Sequence, residues 1–403
     1  MIPRHVPALA LGTLALGVAE FSMMSILLPV ADDLGVTVPE AGHFISAYAA
    51  GVCAGVLIMA AAARKMPLKT LLLIIVGIIT LGNTLTVFVD SYHLMLFSRF
   101  IAGLPHGAYF GAAGVLCTQL AEPGKASRDM CLMVAGMTIA NLAGVPLASF
   151  LAWAVSWRAF AIAAAAALIT FAAIRITVPK VPALPDSGFA AQFRFLRSLE
   201  PWLVLGAIGL GNGGFFAYYS YVNPVMEHVA AVPASMMSVV ITLAGAGMVL
   251  GNLFCAKISS SFSDESLAAA GQGVLLLSLA SVFFLAHWSP AAIALTTLAA
   301  GCVFFISGPE QVLMIRNAKE GQLLAASLAQ VSFNAGNAVG AWLGGLPIDA
   351  GKAANWAAMP GFFLALAGFG LLFVNWLIHR VRGEERTAGR IAALKDQIQS
   401  KAP

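Results

Sequence analysis

The sequence predicts an all-α membrane protein with twelve transmembrane helices arranged as two six-helix bundles. Three observations predict it. Of 403 residues, 60% are hydrophobic and only 10% are charged, far below the ~25% charge of an ordinary soluble domain. Apolar stretches long enough to cross about 30 Å of hydrocarbon recur from end to end. The Gly, Pro and Asn punctuation of the first half returns in the second at an offset of 195 or 196 residues. This composition excludes a disordered chain, a disulfide scaffold and a nucleic-acid binder. The five cysteines, Cys53, Cys117, Cys131, Cys255 and Cys302, lie in apolar stretches without CxxC spacing. They read as small buried hydrophobes.

The spans fall near 6–30, 44–63, 71–90, 94–118, 130–153 and 158–177, and after a break near 201–225, 236–257, 267–286, 291–316, 323–346 and 356–378. Each has the length of a membrane-crossing helix with some tilt. The first lacks a small-residue cleavage site and reads as a retained helix. The organisation is then a bundle over 1–178, a linker over 179–200, a second bundle over 201–379 and a basic tail over 380–403. In the linker, Pro179, Pro182 and Pro185 impose extended backbone, and Asp186 and Ser187 favour a turn. Phe189, Phe193 and Leu196 share a helical face there, which reads either as a helix on the inner membrane surface or as a solvated connection.

Orientation follows from the basic residues. Counting short loops and the tail, 19 of the 22 Lys and Arg fall on the side of the N terminus, and only Arg158 and Lys352 on the other. The positive-inside rule then places both termini in the cytoplasm.

The internal repeat carries the functional class. Pro29 matches Pro224, Gly51 and Gly55 match Gly247 and Gly251, and Asn141 and Gly144 match Asn337 and Gly340. Six crossings return the chain to its starting side, so the copies are parallel. Parallel repeats around a midplane site describe an alternating-access transporter. Glycines four apart (51/55, 103/107/111, 247/251 and 340/344) let helix backbones approach closely. There is no GxxxxGK[ST] loop and no HExxH. Gly209, Gly211 and Gly214 match GxGxxG but sit inside an apolar span with no strand before them, which reads as helix packing. No metal and no cofactor are expected.

A charge at a helix centre is costly and calls for a role or a partner. At 1.5 Å per residue, Glu20 lies about 15 Å and His106 about 18 Å from the outer ends of their spans, with Arg99 about 8 Å down. If the first and fourth helices are neighbours, these three form a protonatable cluster. A carboxyl held between desolvation, which opposes its charge, and a guanidinium, which favours it, can exchange protons. The alternative is that Glu20 and Arg99 merely lock two helices together and His106 is a satisfied core imidazole. Glu310, after Pro309, is expected to snorkel towards the cytoplasm, the alternative being a place in an inner gate. Neutral polar groups at similar depth (Asn141, Asn212, Gln330, Asn334, Asn337) and Tyr218, Tyr219 and Tyr221 are substrate-cavity candidates. They suit a hydroxyl-rich or aromatic ligand, and can equally serve as interhelical hydrogen bonds.

The segment Ser98–Gly111, SRFIAGLPHGAYFG, resembles the RxxxGxxxG pattern of the fourth helix in the major facilitator superfamily. Ala140–Pro146, ANLAGVP, with Ser156-Trp157-Arg158, is similar to the Gly-Val-Pro and Trp-Arg signatures of its drug:proton antiporter branch. Gly17–Pro29 and Phe333–Gly345 are similar to the same branch, and LPHGAYFG with Arg64–Leu73 looks most like its AraJ-type exporters of arabinose or arabinose polymers. The resemblance implies the major facilitator fold in a bacterial inner membrane, and proton-driven export by rocking of two bundles. By matching motif, Arg99, Gly103 and Gly107 inherit the fourth-helix role, and Gly144 and Pro146 the fifth-helix one, with Gly340 as repeat partner of Gly144. The chain departs from the superfamily's GxxxDRxGRR loop, offering only Arg64, Lys65 and Lys69 without an Asp. It also has Ala102 where Gln is common and Glu310 where an apolar residue is expected.

The reading is therefore a monomeric, proton-coupled exporter of a sugar, nucleoside or drug-like molecule, in contact with substrate, protons and lipid but not nucleic acid. The alternatives are an importer or facilitator of a small polar solute, or a non-transporting sensor with the same fold.

Overall fold

The computed structural model describes residues 2–62, 65–184 and 188–399. Arg64 and residues 185–187, which enter the charge and linker readings, lie outside the described residues, as do the side chains of the basic tail beyond Val381.

Twelve long helices follow in order: α1 His5–Ser25, α2 Val38–Ala62, α3 Leu68–Val87, α4 Tyr92–Leu120, α5 Ala126–Ile139 and α6 Ala161–Thr177; then α7 Leu199–Tyr219, α8 Met237–Ile258, α9 Asp264–Leu285, α10 Ser289–Asn317, α11 Gln322–Asp349 and α12 Ala358–Gln399. Ten spans are long and apolar enough to cross a membrane. The others, α7 and α11, dilute their apolar residues with glycine and amides.

Prolines decide where spans deviate from regular helix. Past Ser25 the chain leaves helical geometry at Ile26 and resumes over Leu27–Leu34, with Pro29 in the first turn. Pro224, its repeat partner, sits between a short helix and a π turn over Val225–Val229. Before Pro146, α5 widens into a π turn at Ala140–Gly144 and continues as Val145–Ala154. Pro146 has no N–H to offer the previous turn, and widening the helix passes the Val145 N–H to the Ala140 carbonyl instead.

The two halves pack in the same way. In the first, α1 contacts α5 and α6, α2 contacts α4, and α3 contacts α4 and α6; in the second, α7 contacts α11 and α12, α8 contacts α10, and α9 contacts α10 and α12. Glycines set the closest approaches. Gly51 and Gly55 face the carbonyls of Phe100 and Leu104, and Gly247 and Gly251 face those of Thr297 and Gly301. Gly336, Gly340 and Gly344 line α11 against Gly209, Gly213 and Ala217. The GxGxxG match is packing: Gly209 meets Ser332, Gly211 meets Gln272 and Gly214 meets Gly361, on three different helices.

The bundles meet through α5 with α8 and α10, and α4 and α2 with α11. These contacts gather in the halves nearest the linker. Gly111 packs on Ser327 and Leu323, Gly114 on Ile315, and Gly308 on Cys131. Asn252 Nδ2 donates to the Cys131 carbonyl at 2.7 Å, and Ser127 Oγ donates to Asp264. Gly245 against Leu142 is, of these, the contact furthest from the linker side.

Two expectations, on the linker and on Glu310, are corrected. The linker forms a 3-10 helix, Ala190–Arg197, that buries Ala191, Gln192 and Phe195 and leaves Phe189 exposed, so it is a docked segment rather than a helix on the membrane surface or a solvated connection. It docks on the start of α11, where Gly321 meets Gln192 and Arg194 pairs with Glu320 at 2.9 Å. The basic tail is helical and continues α12 to Gln399. Glu310 does not snorkel; it is 2% exposed inside the second bundle. Pro309 interrupts the hydrogen bonding of α10 beside it without turning the side chain out.

Candidate functional site

Arg99 is held by the close approach of α2 and α4. Gly103, one turn on, leaves no room for a Cβ against the Tyr48 carbonyl, so the Tyr48 ring lies beside Arg99. The guanidinium carbon stands 4.6 Å from the centre of that ring and 5.6 Å from that of Phe160. Its Nη2 donates to the Ala19 carbonyl at 2.9 Å, while Nε and Nη1 have no protein partner. Aromatic faces offset part of the cost of burying such a cation.

The Tyr48 hydroxyl lies 2.8 Å from His106 Nδ1, and Glu20 Oε2 lies 3.8 Å from the same nitrogen. His106 is buried and stacks on Phe110, while Glu20 keeps 12% of its side chain exposed. The structure thus brings together the three ionisable residues the sequence singles out, and adds Tyr48 as the fourth member. No ion pair joins Glu20 to Arg99 among the described residues; the Tyr48 ring lies beside the guanidinium, and its hydroxyl reaches the imidazole that Glu20 approaches. Sequence reasoning missed Tyr48. Its signal was Gly103, which marks where α2 must press against α4.

The second bundle treats the equivalent place differently. Leu104 faces Gly55 as Gly301 faces Gly251, which sets the α4-to-α10 offset at 197. Arg99 then corresponds to Thr296, whose hydroxyl lies 2.6 Å from the Tyr218 hydroxyl. A neutral hydrogen bond replaces the charged cluster, so the ionisable site is asymmetric.

The cavity candidates divide. Asn141 lies in the π turn of the fifth span, part-exposed, and donates to the Met137 carbonyl at 3.1 Å. Gln330, Asn334, Asn337, Tyr219 and Tyr221 are part-exposed. Tyr221 donates to the Ala341 carbonyl at 3.0 Å and Asn334 to that of Gln330 at 2.9 Å. Asn212 and Tyr218 are buried inside the second bundle, at 2% and 0% exposure, and do not line an open wall. Gly107 packs on Val56 and Ser327, Gly144 on Val18 and Gly340 on Gly213. Pro146 is exposed. Lys69, in the first turn of α3, donates to the carbonyls of Arg175 and Val178 at 2.8 and 2.7 Å, capping α6.

Two parallel six-helix bundles with an ionisable cluster between α1, α2 and α4 define a membrane transporter. The family model of the Major Facilitator Superfamily matches residues 9–322, and the chain belongs to that superfamily. It is 37% identical to the AraJ protein of Escherichia coli (strain K12), over 91% of this chain and 93% of that one. It is 31% identical to the inner membrane transport protein YdhP of the same organism, over 91% and 94%. The purine ribonucleoside efflux pump NepI of Shigella sonnei is 25% identical over 82% of this chain and 84% of its own length. Among solved structures, the transporter FucP in its outward conformation superposes with a TM-score of 0.76 at 16% identity, covering 92% of this chain and 98% of that one. The protein is an integral membrane transporter whose relatives handle small molecules.

Proposed function

We propose that the protein exports a small molecule in exchange for protons, with Glu20 as the coupling carboxyl and His106, Tyr48 and Arg99 as its setting. The observation that supports this most is the position of Glu20. It is the one carboxyl in the first helix, part-exposed, and 3.8 Å from a buried imidazole that is itself bonded to a phenol. A proton leaving the carboxyl has acceptors within reach, the imidazole and through it the phenol. Efflux is supported by the purine ribonucleoside efflux pump among the relatives. With both termini cytoplasmic, the bundles close on the cytoplasmic side and the site faces outward. The substrate is a sugar, nucleoside or drug-like molecule that the part-exposed amides Asn141, Gln330, Asn334 and Asn337 hold by hydrogen bonds.

Flux in proteoliposomes, with and without a pH gradient, tests the reading. Glu20→Gln is expected to abolish pH-driven flux while counterflow exchange survives, because exchange moves no net proton. Full pH-driven flux by a stable Glu20→Gln protein overturns the assignment. If Glu20 only braces the fold, the same change lowers the melting temperature, and Arg99→Gln added to it recovers part of the loss.

A further inference from the structure

Glu310 is a buried acid that the coupling site does not use. It is 2% exposed, its Oε1 has no hydrogen-bond partner, and no ion pair reaches it among the described residues. It stands two residues after Gly308, which packs on Cys131 of the other bundle. At about 100° per residue it therefore points away from that interface, into its own bundle. One turn on, Leu313 and Met314 pack with Val204 and Ile208 of α7, Ala268 of α9 and Leu372 of α12. The equivalent residue of the first bundle is Ala113.

Unpaired polar atoms are stacked through the same interior. At mid-depth, Gln272 bonds the Ala365 carbonyl at 3.3 Å, but its Oε1 has no partner, nor has Asn212 Oδ1 on the neighbouring α7. Gly271 meets Ile306, which puts Glu310 about one turn nearer the linker side. Further down α12, Asn375 is fully buried with neither side-chain atom bonded. One turn beyond it, His379 Nδ1 lies 3.5 Å from Glu265 Oε1, which also takes Arg316, while His379 Nε2 is unpaired. The charged groups on the surrounding helices all sit at their linker-side ends. Up to Val381, where the described side chains of α12 end, they are Glu200 on α7, Lys257 on α8, Asp264 and Glu265 on α9, Arg316 on α10, His379 and Arg380 on α12, and Arg128 and Asp129 across the interface on α5; the linker-side half of α11 has none.

Buried polar atoms without protein partners are where structural water binds, and a carboxyl set among them can take up and release a proton. We propose that Glu310 is a second proton-binding site, joined to the linker-side solution by a water-filled path between α9, α10 and α12 that passes Asn375 and ends at Glu265, Arg316 and His379. Its use in transport rests on the proton-coupled reading above; its existence does not.

Infrared difference spectroscopy on the full chain in phospholipid vesicles, exchanged into D2O, needs no substrate and separates the two. The wild type is expected to show a protonated-carboxyl stretch that Glu310→Gln removes and Glu20→Gln retains. Asn375→Leu is expected to slow deuteration of that stretch by an order of magnitude, and Asn375→Ser, which keeps a polar group, to restore most of it. Gln preserves the volume and neutrality of the side chain, so Glu310→Gln is expected to melt with the wild type. No spectral difference between wild type and Glu310→Gln overturns the site. Equal deuteration in wild type and Asn375→Leu overturns the path. Transport without proton movement in the wild type overturns the coupling reading alone, because the carboxyl signal is read without transport.

Discussion

Tyr48 does two separable things at the coupling site. Its ring takes the Arg99 cation at 4.6 Å and its hydroxyl reaches His106 at 2.8 Å. Tyr48→Phe keeps the ring face and loses the hydroxyl. It is expected to leave the melting temperature nearly unchanged and to shift the pH profile of flux. Tyr48→Leu loses both, and is expected to cost about 1–2 kcal/mol in stability, as loss of a desolvated cation–π contact does. Equal pH profiles for wild type and Tyr48→Phe end the role of the phenol. At the far end of the bundle, Asp33 accepts from Trp157 Nε1 at 2.9 Å and from Arg158 Nη1 at 2.8 Å, and these bonds hold its carboxyl below the usual range. A depressed carboxyl contributes stability above its unfolded pKa and loses it as pH falls through the folded one. Trp157 fluorescence is therefore expected to change on acidification below about pH 4, and to lose that transition in Asp33→Asn.

Helices are where the repeat becomes physical. Gly55 and Gly251 occupy equivalent positions, each pressed on a carbonyl of the crossing helix, Leu104 in one bundle and Gly301 in the other. A methyl group at either position forces the backbones apart. Gly55→Ala and Gly251→Ala are each expected to lower stability by about 1–3 kcal/mol, the usual cost of overpacking. Gly77→Ala, whose Cβ meets nothing within 4 Å, is expected to be neutral or slightly stabilising. Thermal melting of the three variants checks this; equal losses in all of them would put the effect in the helix backbone rather than the crossing. The glycine pairs and the paired prolines were legible because each type has one physical use at that spacing. The π turn at Ala140–Gly144 was not. Pro146 announces an interruption, but whether the helix kinks, ends or widens depends on what neighbouring helices press against it. The linker escaped for the same reason: Phe195 is buried only because the start of α11 is there to receive it.

At the scale of the whole molecule, the contacts near the linker hold one end shut. Cys131 on α5 and Cys255 on α8 belong to opposite bundles and share a buried cluster. If this end opens during transport, oxidative cross-linking of the pair in a background lacking Cys53, Cys117 and Cys302 is expected to stop flux, and reductant to restore it. Flux that persists in the cross-linked protein would show that the bundles do not part here. Orientation is tested separately, by labelling single cysteines placed at Glu40 and Lys125. Glu40 is expected to react from outside and Lys125 from inside, and the reverse would invert the topology and with it the outward-facing state.

The sequence by itself determined the solvent, the number of spans, the duplication and the superfamily. Those follow from hydrophobicity, length and spacing, which are local along the chain and need no knowledge of neighbours. It also nominated Glu20, Arg99 and His106, because an ionisable group in an apolar span is conspicuous whatever surrounds it. Only the tertiary structure decided what these groups do to one another: that Tyr48 touches both Arg99 and His106 while Glu20 approaches the imidazole, that Asn212 and Tyr218 turn into the second bundle, and that Glu310 is buried among unpaired amides rather than reaching for water. Burial and hydrogen bonding are properties of the space between helices, and that space is set by how two bundles pack, which no single span encodes.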